Sequence, residues 1–154
     1  MAIVMNDLET RTHRTFRALM WALSHPGRPQ ALPGAGLAPF LAIGETLVDL
    51  ETSYYTGDEK LGQLLARLGG RPRPPGEAAY QFYPVLDDAA LSNLKKAPVG
   101  AHAWPDDGAT LAIGASFGAG VTLKLSGPGV AWTTELTVGR VPDAFWSLRQ
   151  GAIQ

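Results

Sequence analysis

The chain of 154 residues is 45% apolar and 18% charged, a composition that predicts one folded globular domain over residues 1–154. Its formal net charge of -1 argues against nucleic acid and acidic membrane surfaces as partners, because both require an excess of Lys and Arg. The chain has no cysteine, which excludes disulfides, thiolate metal sites and a cysteine nucleophile, and is typical of a reducing compartment.

The N-terminal segment carries Asp7 and Glu9 where a secretory signal carries basic residues and then a long apolar run. The longest apolar stretch, residues 37–50, contains Gly44, Glu45 and Asp49 and is too short to cross a bilayer as a helix. We therefore expect a soluble cytoplasmic protein that does not enter a membrane.

An amphipathic helix is predicted over residues 6–24, because Asn6 can cap it and Glu9 follows three residues later. Its predicted core-facing stripe, at helical spacing, consists of Phe16, Leu19, Met20 and Leu23. Pro26 disfavours helical geometry at His25, and Gly27 allows the positive φ of a sharp turn. The helix is therefore expected to end in a turn at residues 24–28.

The middle of the chain alternates helical and strand patterns. A mostly buried helix is predicted within residues 37–50, a strand over 53–56, a helix capped by Asp58, a strand near 79–83 and a short helix over 87–96. Residues 71–75, rich in Arg and Pro, are interpreted as an extended connector, with a polyproline recognition segment or an anion-attracting loop as alternatives.

Residues 110–138 carry the strongest strand signal of the chain. The glycine-rich segments 118–120 and 127–129 are predicted to be turns that separate three strands of an antiparallel meander. Alternating apolar residues predict one buried side for each strand, with Trp132 on the same face as Leu136 and Val138. Pro142 and Asp143 then introduce a last helix.

Residues 114–118 match the nucleophile-elbow pattern G-x-S-x-G, which requires a strand, a sharp turn and a helix around Ser116. Strand periodicity follows Ser116, so we interpret it as part of a hairpin turn, although an upstream histidine could still be recruited. The three histidines, His13, His25 and His102, lack metal-ligand spacing. The sequence therefore predicts no catalytic residue and no metal site.

Two segments are candidates for contact with a ligand or partner. The first is the turn containing His25 and Arg28, although an imidazole bonded to the local backbone is the simpler interpretation. The second contains Lys124, Ser126, Gly127 and Gly129, where turn chemistry and a solvated lysine are the simpler interpretations. Neither glycine-rich segment completes a dinucleotide or P-loop motif, and no cofactor is predicted.

Several stretches together resemble the PhnH family, the H subunits of bacterial carbon-phosphorus lyase. Residues 16–20 leading into 24–28 are similar to the N-terminal helix and turn of that family, and residues 108–111 with 123–130 to its strand pair ending in L-x-L-x-G-x-G-I/V. The helices ending near residues 52 and 68 fall where the family has comparable elements. The resemblance covers most of the chain.

The resemblance implies a three-layer α/β/α sandwich with a mixed sheet, including the antiparallel meander, and a reduced pyridoxal-phosphate-transferase-like fold without the cofactor or its lysine. It implies a homodimer and a non-catalytic scaffold within a complex that converts alkylphosphonates, with ATP, into a ribose triphosphate phosphonate. The family continues with segments resembling F-P-L-G-x-D and P-R-T-T that this chain lacks. We therefore expect an unpaired sheet edge.

One alternative function class stays open from the sequence. The chain could be a stand-alone protein that binds a phosphonate, a nucleotide or another anion, or a small enzyme acting on such a molecule. The turn at His25 and Arg28, or the segment from Lys124 to Gly129, would then hold the anion.

Overall fold

A computed structural model describes residues 7–152, so the predicted cap at Asn6 lies outside the described part of the chain. The helices and the strand regions predicted from the sequence are present with shifted ends, and residues 71–72, predicted as a connector, form an additional short strand. Their bounds are α1 Asp7–Ser24, α2 Ala38–Leu47, β1 Ser53–Thr56, α3 Glu59–Ala66, β2 Arg71–Pro72, β3 Tyr80–Tyr83, α4 Asp88–Leu94, β4 Thr110–Ile113, β5 Ser116–Leu125, β6 Thr134–Gly139 and α5 Asp143–Ala152.

The centre of the molecule is a parallel sheet with the strand order β2-β1-β3-β4. Tyr54 of β1 is in register with Tyr80 of β3, and Phe82 of β3 with Ala112 of β4. The assignment of residues 110–113 to an antiparallel meander is therefore wrong, because α4 and the following loop return the chain for parallel pairing. Among the described strands, β2 and β4 are the two edges of this sheet.

Helices cover both faces of this sheet. Tyr54 and Phe82 point to one face, where they pack with residues of α2 and α3, including Leu61 and Leu65. The next residue along each strand points to the other face, where Tyr83 packs with residues of α4 and α5. The helix, sheet and helix layers follow from this alternation, and the predicted α/β class is confirmed.

Local sequence chemistry positions the helices on the sheet. The Asp58 carboxylate accepts a hydrogen bond from Leu61 N at 2.8 Å, which confirms the predicted cap of α3. Asp87 caps α4 in the same way, through Ala90 N at 2.8 Å. A Cβ atom at Gly44 would lie 2.3 Å from Leu65 Cδ2, so glycine is needed there for the close approach of α2 and α3.

The connector predicted at residues 71–75 begins as a short edge strand. Arg71 N donates to Thr52 O at 3.0 Å, and Arg73 N donates to Tyr54 O at 2.9 Å. Pro72 is tolerated between them because an edge strand does not need every N–H group for pairing. These bonds make the start of the segment part of the sheet.

The antiparallel part of the structure is a two-stranded hairpin of β5 and β6. The prediction of a turn at residues 118–120 is wrong, because these residues form a bulge inside β5 between Phe117 and Val121. Gly120 has φ of 119°, and a Cβ atom there would lie 2.3 Å from Val138 O. The second predicted turn, residues 127–129, does lie between the two strands.

Three predictions of buried apolar residues are wrong. β5 has no buried residue, and its Val121 is exposed. Trp132 precedes β6, has φ of 64° and is 95% exposed. On α1, Phe16, Met20 and Leu23 are exposed, whereas Thr15 is fully buried. The reason is that α1 packs mainly against α2, which covers only one side of its apolar arc.

Candidate functional site

The predicted contact residue His25 is engaged locally. Its Nδ1 atom lies 3.3 Å from the carbonyl oxygen of Trp21, and its ring stacks on the Trp21 ring with centroids 4.5 Å apart. This is the backbone contact that the simpler interpretation of His25 expected. Arg28 follows in the same turn, where its N–H donates to His25 O at 3.1 Å and its side chain is exposed.

The second predicted segment lies at the end of the hairpin. Lys124 is exposed and stands in register with Glu135 of the neighbouring strand. Ser126, Gly127 and Gly129 are also exposed, in the loop that leaves β5. Within residues 7–152, neither Lys124 nor Arg28 makes an ion pair.

The structure brings these two predicted segments together. A Cβ atom at Gly27 would lie 2.9 Å from Leu125 Cδ1 and 2.9 Å from Thr134 Cγ2. A Cβ atom at Gly129 would lie 2.2 Å from the carbonyl oxygen of Ser24. We call this packing of the α1 turn on the hairpin the turn-hairpin seam. The two glycines therefore serve close backbone approach, a structural role that sequence spacing did not indicate.

An exposed apolar surface runs along α1. Its members recur on one side of the helix, next to the side that packs on α2, and Leu23 at its end is 73% exposed. We define the α1 apolar face as Leu8, Phe16, Met20 and Leu23. On the covered side, the Arg11 guanidinium holds the Glu45 carboxylate of α2 through two bonds of 3.0 and 2.7 Å. The orientation of α1 on α2 is thus set, and it leaves the apolar face open.

A crevice lies at the carboxyl ends of the parallel strands. One cavity of about 410 Å³ follows β1 and β3, and a second of about 670 Å³ follows β3 and β4. The two cavities share Asp58, Pro84 and Val85 in their linings, and we call the combined space the sheet-edge crevice. A Cβ atom at Gly114 would lie 2.0 Å from Pro84 O, so this glycine of the G-x-S-x-G pattern lets the two strand ends meet.

The polar groups of the crevice differ between its two ends. Tyr55, Asp58, Asp87 and Asn93 line the first cavity, whereas Arg140 is the basic residue of the second. Asp58 and Asp87 cap α3 and α4, so a carboxylate lies at each of these helix N-termini and repels a phosphate there. Any anion in the crevice therefore has Arg140 as its counter-charge.

Sequence reasoning identified Asp58 as a cap but missed the crevice. The available signal was an aspartate placed soon after each of two strands, at Asp58 after β1 and Asp87 after β3, since carboxyl ends of parallel strands share one edge. Tyr55 had no such signal, and Arg140 lies in a connection far along the chain. Its φ of 62° is the left-handed conformation that non-glycine residues rarely adopt.

A buried hydrogen-bond chain supports the floor of the crevice. The Tyr83 hydroxyl donates to Gln81 Oε1 at 2.7 Å, and Gln81 Nε2 donates to Pro75 O at 2.7 Å and Ala78 O at 3.1 Å. Burial raises the pKa of Tyr83, and the neighbouring Tyr55 adds to the rise. Burial also raises the pKa of Tyr54. Tyr83 is thus a neutral donor that holds Gln81 in place.

The described residues do not form the catalytic or metal arrangements considered from the sequence. Ser116 begins a strand paired at Gly139, so it lacks the strand, turn and helix of a nucleophile elbow. Within residues 7–152, no three His, Asp or Glu side chains are grouped to hold a metal ion. Over the same residues, no helix has the length and apolar character needed to span a bilayer.

Comparison with known proteins identifies the family. The family described as bacterial phosphonate metabolism protein (PhnH) matches residues 5–154. A relative from Stutzerimonas stutzeri, named putative C-P lyase subunit protein HtxG, is 31% identical over 141 residues, which are 90% of this chain and 70% of the relative. The chain therefore belongs to the PhnH family of bacterial phosphonate-metabolism proteins.

Proposed function

We propose that the chain is a non-catalytic scaffold subunit of a cytoplasmic carbon-phosphorus lyase complex in organic phosphonate catabolism. The assembly would synthesise ribose 1-methylphosphonate 5-triphosphate, with the chemistry carried by other subunits. Family membership and the carbon-phosphorus lyase name of the Stutzerimonas stutzeri relative support this role. The reduced pyridoxal-phosphate-transferase-like fold, without the cofactor, is part of the same proposal.

The observation that carries the scaffold role is the α1 apolar face. Large apolar side chains aligned on one exposed side of a helix are a typical surface for a partner protein. Phe16, Met20 and Leu23 share this side and adjoin the covered side of α1, so a partner would extend an existing core. A subunit that works by assembly needs such a surface and needs no reacting groups of its own.

Copurification from the native host, followed by mass spectrometry, tests this role. Wild-type chain should recover phosphonate-pathway subunits, and the double variant Phe16→Glu, Leu23→Glu should lose them, because a charge on the apolar face opposes burial. Leu50→Glu is the matched control, since Leu50 is 76% exposed and lies outside α1. A wild-type chain without partners, or a double variant that keeps them all, would contradict the proposal.

We also propose a homodimer, as the family resemblance implies. An apolar helix face can pair with a second copy about a two-fold axis, since the same patch then meets itself. Light scattering on the purified chain should give twice the chain mass of 16.3 kDa. A mass of one chain at high micromolar concentration would exclude the homodimer without excluding contact with other subunits.

A second candidate function is small-molecule binding by the chain itself, and the sheet-edge crevice favours it. Cavities of about 410 and 670 Å³ are large enough for a small ligand. Thermal unfolding with phosphonates, nucleotides and pyridoxal phosphate tests this function, because a ligand of the folded state raises the unfolding temperature. The scaffold proposal expects no such rise from pyridoxal phosphate.

A further inference from the structure

The strand connections change direction at the sheet-edge crevice. From β1 the chain goes first to β2 on one side and then to β3 on the other, so β1 and β3 are neighbours whose connections diverge. In open parallel α/β sheets, ligands bind in the crevice outside the carboxyl ends of the strands at such a point. Both cavities of the crevice lie at this edge.

The crevice offers hydrogen-bonding groups at its first end. Oδ1 of Asp58 and Oδ1 of Asp87 each accept one backbone N–H, while the second oxygen of each carboxylate has no partner among the described residues. The Tyr55 hydroxyl likewise has no partner within residues 7–152. Carboxylate oxygens accept bonds from hydroxyl groups and repel anions, and a neutral phenol both donates and accepts such bonds. This end therefore suits a hydroxylated, uncharged part of a ligand.

The second end adds a positive charge. Arg140 lines the larger cavity, which Asp58 also lines, and makes no ion pair within the described residues. The backbone of Arg140 is in the left-handed region, which a glycine would adopt without strain. The chain places its glycine one position earlier, at Gly139, and keeps an arginine at the strained position. Non-glycine residues with a strained backbone concentrate at functional sites, because the role of the side chain there offsets the energetic cost of the conformation.

An exposed apolar side chain lies where the two ends meet. Val85 lines both cavities and is 62% exposed, so a ligand that spans the crevice would cover it. Pro84 beside it is held by the close approach of Gly114. The junction therefore combines the apolar Pro84 and Val85 with the Asp58 carboxylate, between the end lined by Tyr55 and Asp87 and the end lined by Arg140.

We propose that the sheet-edge crevice binds a small polyhydroxylated anion of the sugar phosphate class. The anionic group lies at Arg140, and the hydroxyl groups bond to Tyr55, Asp58 and Asp87. The site rests on the second candidate function, small-molecule binding by the chain itself, and names its ligand class. It does not depend on the scaffold role, since the ligand contacts come from one chain.

Titration of the full chain with glucose 6-phosphate, followed by amide chemical shifts, tests the site. Glucose and inorganic phosphate, the two parts of this ligand, are titrated separately. Glucose 6-phosphate should give saturable shifts at Tyr55, Val85 and Gly114, and glucose and inorganic phosphate should each bind more weakly. The absence of saturable shifts, or shifts that map outside the crevice, would overturn the proposal. This experiment involves no partner subunit, so its failure is distinct from failure of the scaffold role.

Substitutions of Arg140 distinguish the contribution of its guanidinium charge from that of its strained backbone. Arg140→Gly removes the charge and relieves the strain, so it should bind glucose 6-phosphate on the order of tenfold more weakly while remaining folded. Arg140→Lys keeps a positive charge and should retain binding within a few-fold. Arg67→Gln is the control, since Arg67 is exposed and lines neither cavity of the crevice. Unchanged affinity in Arg140→Gly would overturn the assignment of the anionic group.

Discussion

The parallel sheet with its covering helices and the unit of α1 with the β5-β6 hairpin use apolar residues in opposite ways. Leu61 and Leu65, beneath the sheet, are fully buried. On α1 the buried residue is a threonine, Thr15, and Val138 is the buried side chain of the hairpin. The difference teaches that apolar spacing describes which residues can be buried, whereas a second packing layer decides which ones are.

The two regions also differ in what holds them together. The sheet region is held by side chains of two apolar clusters, one on each face. The α1 turn and the hairpin meet at the turn-hairpin seam, where glycines allow backbone and side chains to approach closely. In the sheet region, stability should therefore fall most when a large buried side chain is truncated. At the turn-hairpin seam, it should fall most when a glycine is replaced by a larger residue.

The largest effect is expected in the sheet core. Phe82→Ala should lower the free energy of unfolding by about 3–5 kcal/mol, because it leaves a cavity among fully buried side chains. Leu50→Ala, at an exposed apolar residue, should change it by less than about 0.5 kcal/mol. Urea denaturation measures both. Similar losses in the two variants would contradict the assignment of the core.

The next effect tests the seam. Gly129→Ala should cost about 2–3 kcal/mol, because its φ is 79° and the new Cβ atom would meet Ser24 O. Gly36→Ala is the matched control, since its φ is 63° and the space around it is open, and it should cost only about 1 kcal/mol. Equal losses in denaturant titration would mean that the close approach at Gly129 does not matter.

Alkaline pH should weaken the sheet region. The pKa of Tyr83 is raised above its ordinary value of 10.0 by burial, so the unfolded chain loses this proton first. The contribution of protonated Tyr83 to the free energy of unfolding is complete below pH 10. Above pH 10 it should fall by at most about 1.4 kcal/mol per pH unit. Unfolding free energies measured between pH 8 and about 11 should decline less steeply in Tyr83→Phe. An identical slope in both proteins would contradict the buried tyrosine as the cause.

The smallest effect is a gain on α1. The Thr15 hydroxyl is buried without a hydrogen-bond partner in the described structure, so Thr15→Val should raise the free energy of unfolding by about 1 kcal/mol. Thr12→Val is the control, because the Thr12 hydroxyl donates to backbone oxygens of α1 and its loss brings no such gain. Thermal unfolding compares the two, and a destabilised Thr15→Val would show that the hydroxyl contributes to the fold.

Features that depend on a few neighbouring residues could be predicted. The Asp58 cap, the strand at residues 53–56, the turn after Ser24 and the backbone contact of His25 all arise within one turn or one short strand of the chain. The family was also recognisable, since its motifs are local patterns in a fixed order. Of the residues in the candidate site, Asp58 was predicted from the sequence, but as a helix cap and not as part of a crevice.

Tertiary structure decided the rest. Residues 110–113 pair in parallel with β3 because the preceding chain crosses back over the sheet, a long-range constraint that period-two alternation does not contain. Phe16 is exposed because α2 covers a different side of α1, and Arg140 joins Asp58 because strand ends distant in sequence share one edge. The sequence by itself determined most of the helices and strands, the Asp58 cap and the family. Pairing partners, buried faces and the crevice depended on which surfaces meet in space, because burial is a property of two surfaces and not of one pattern.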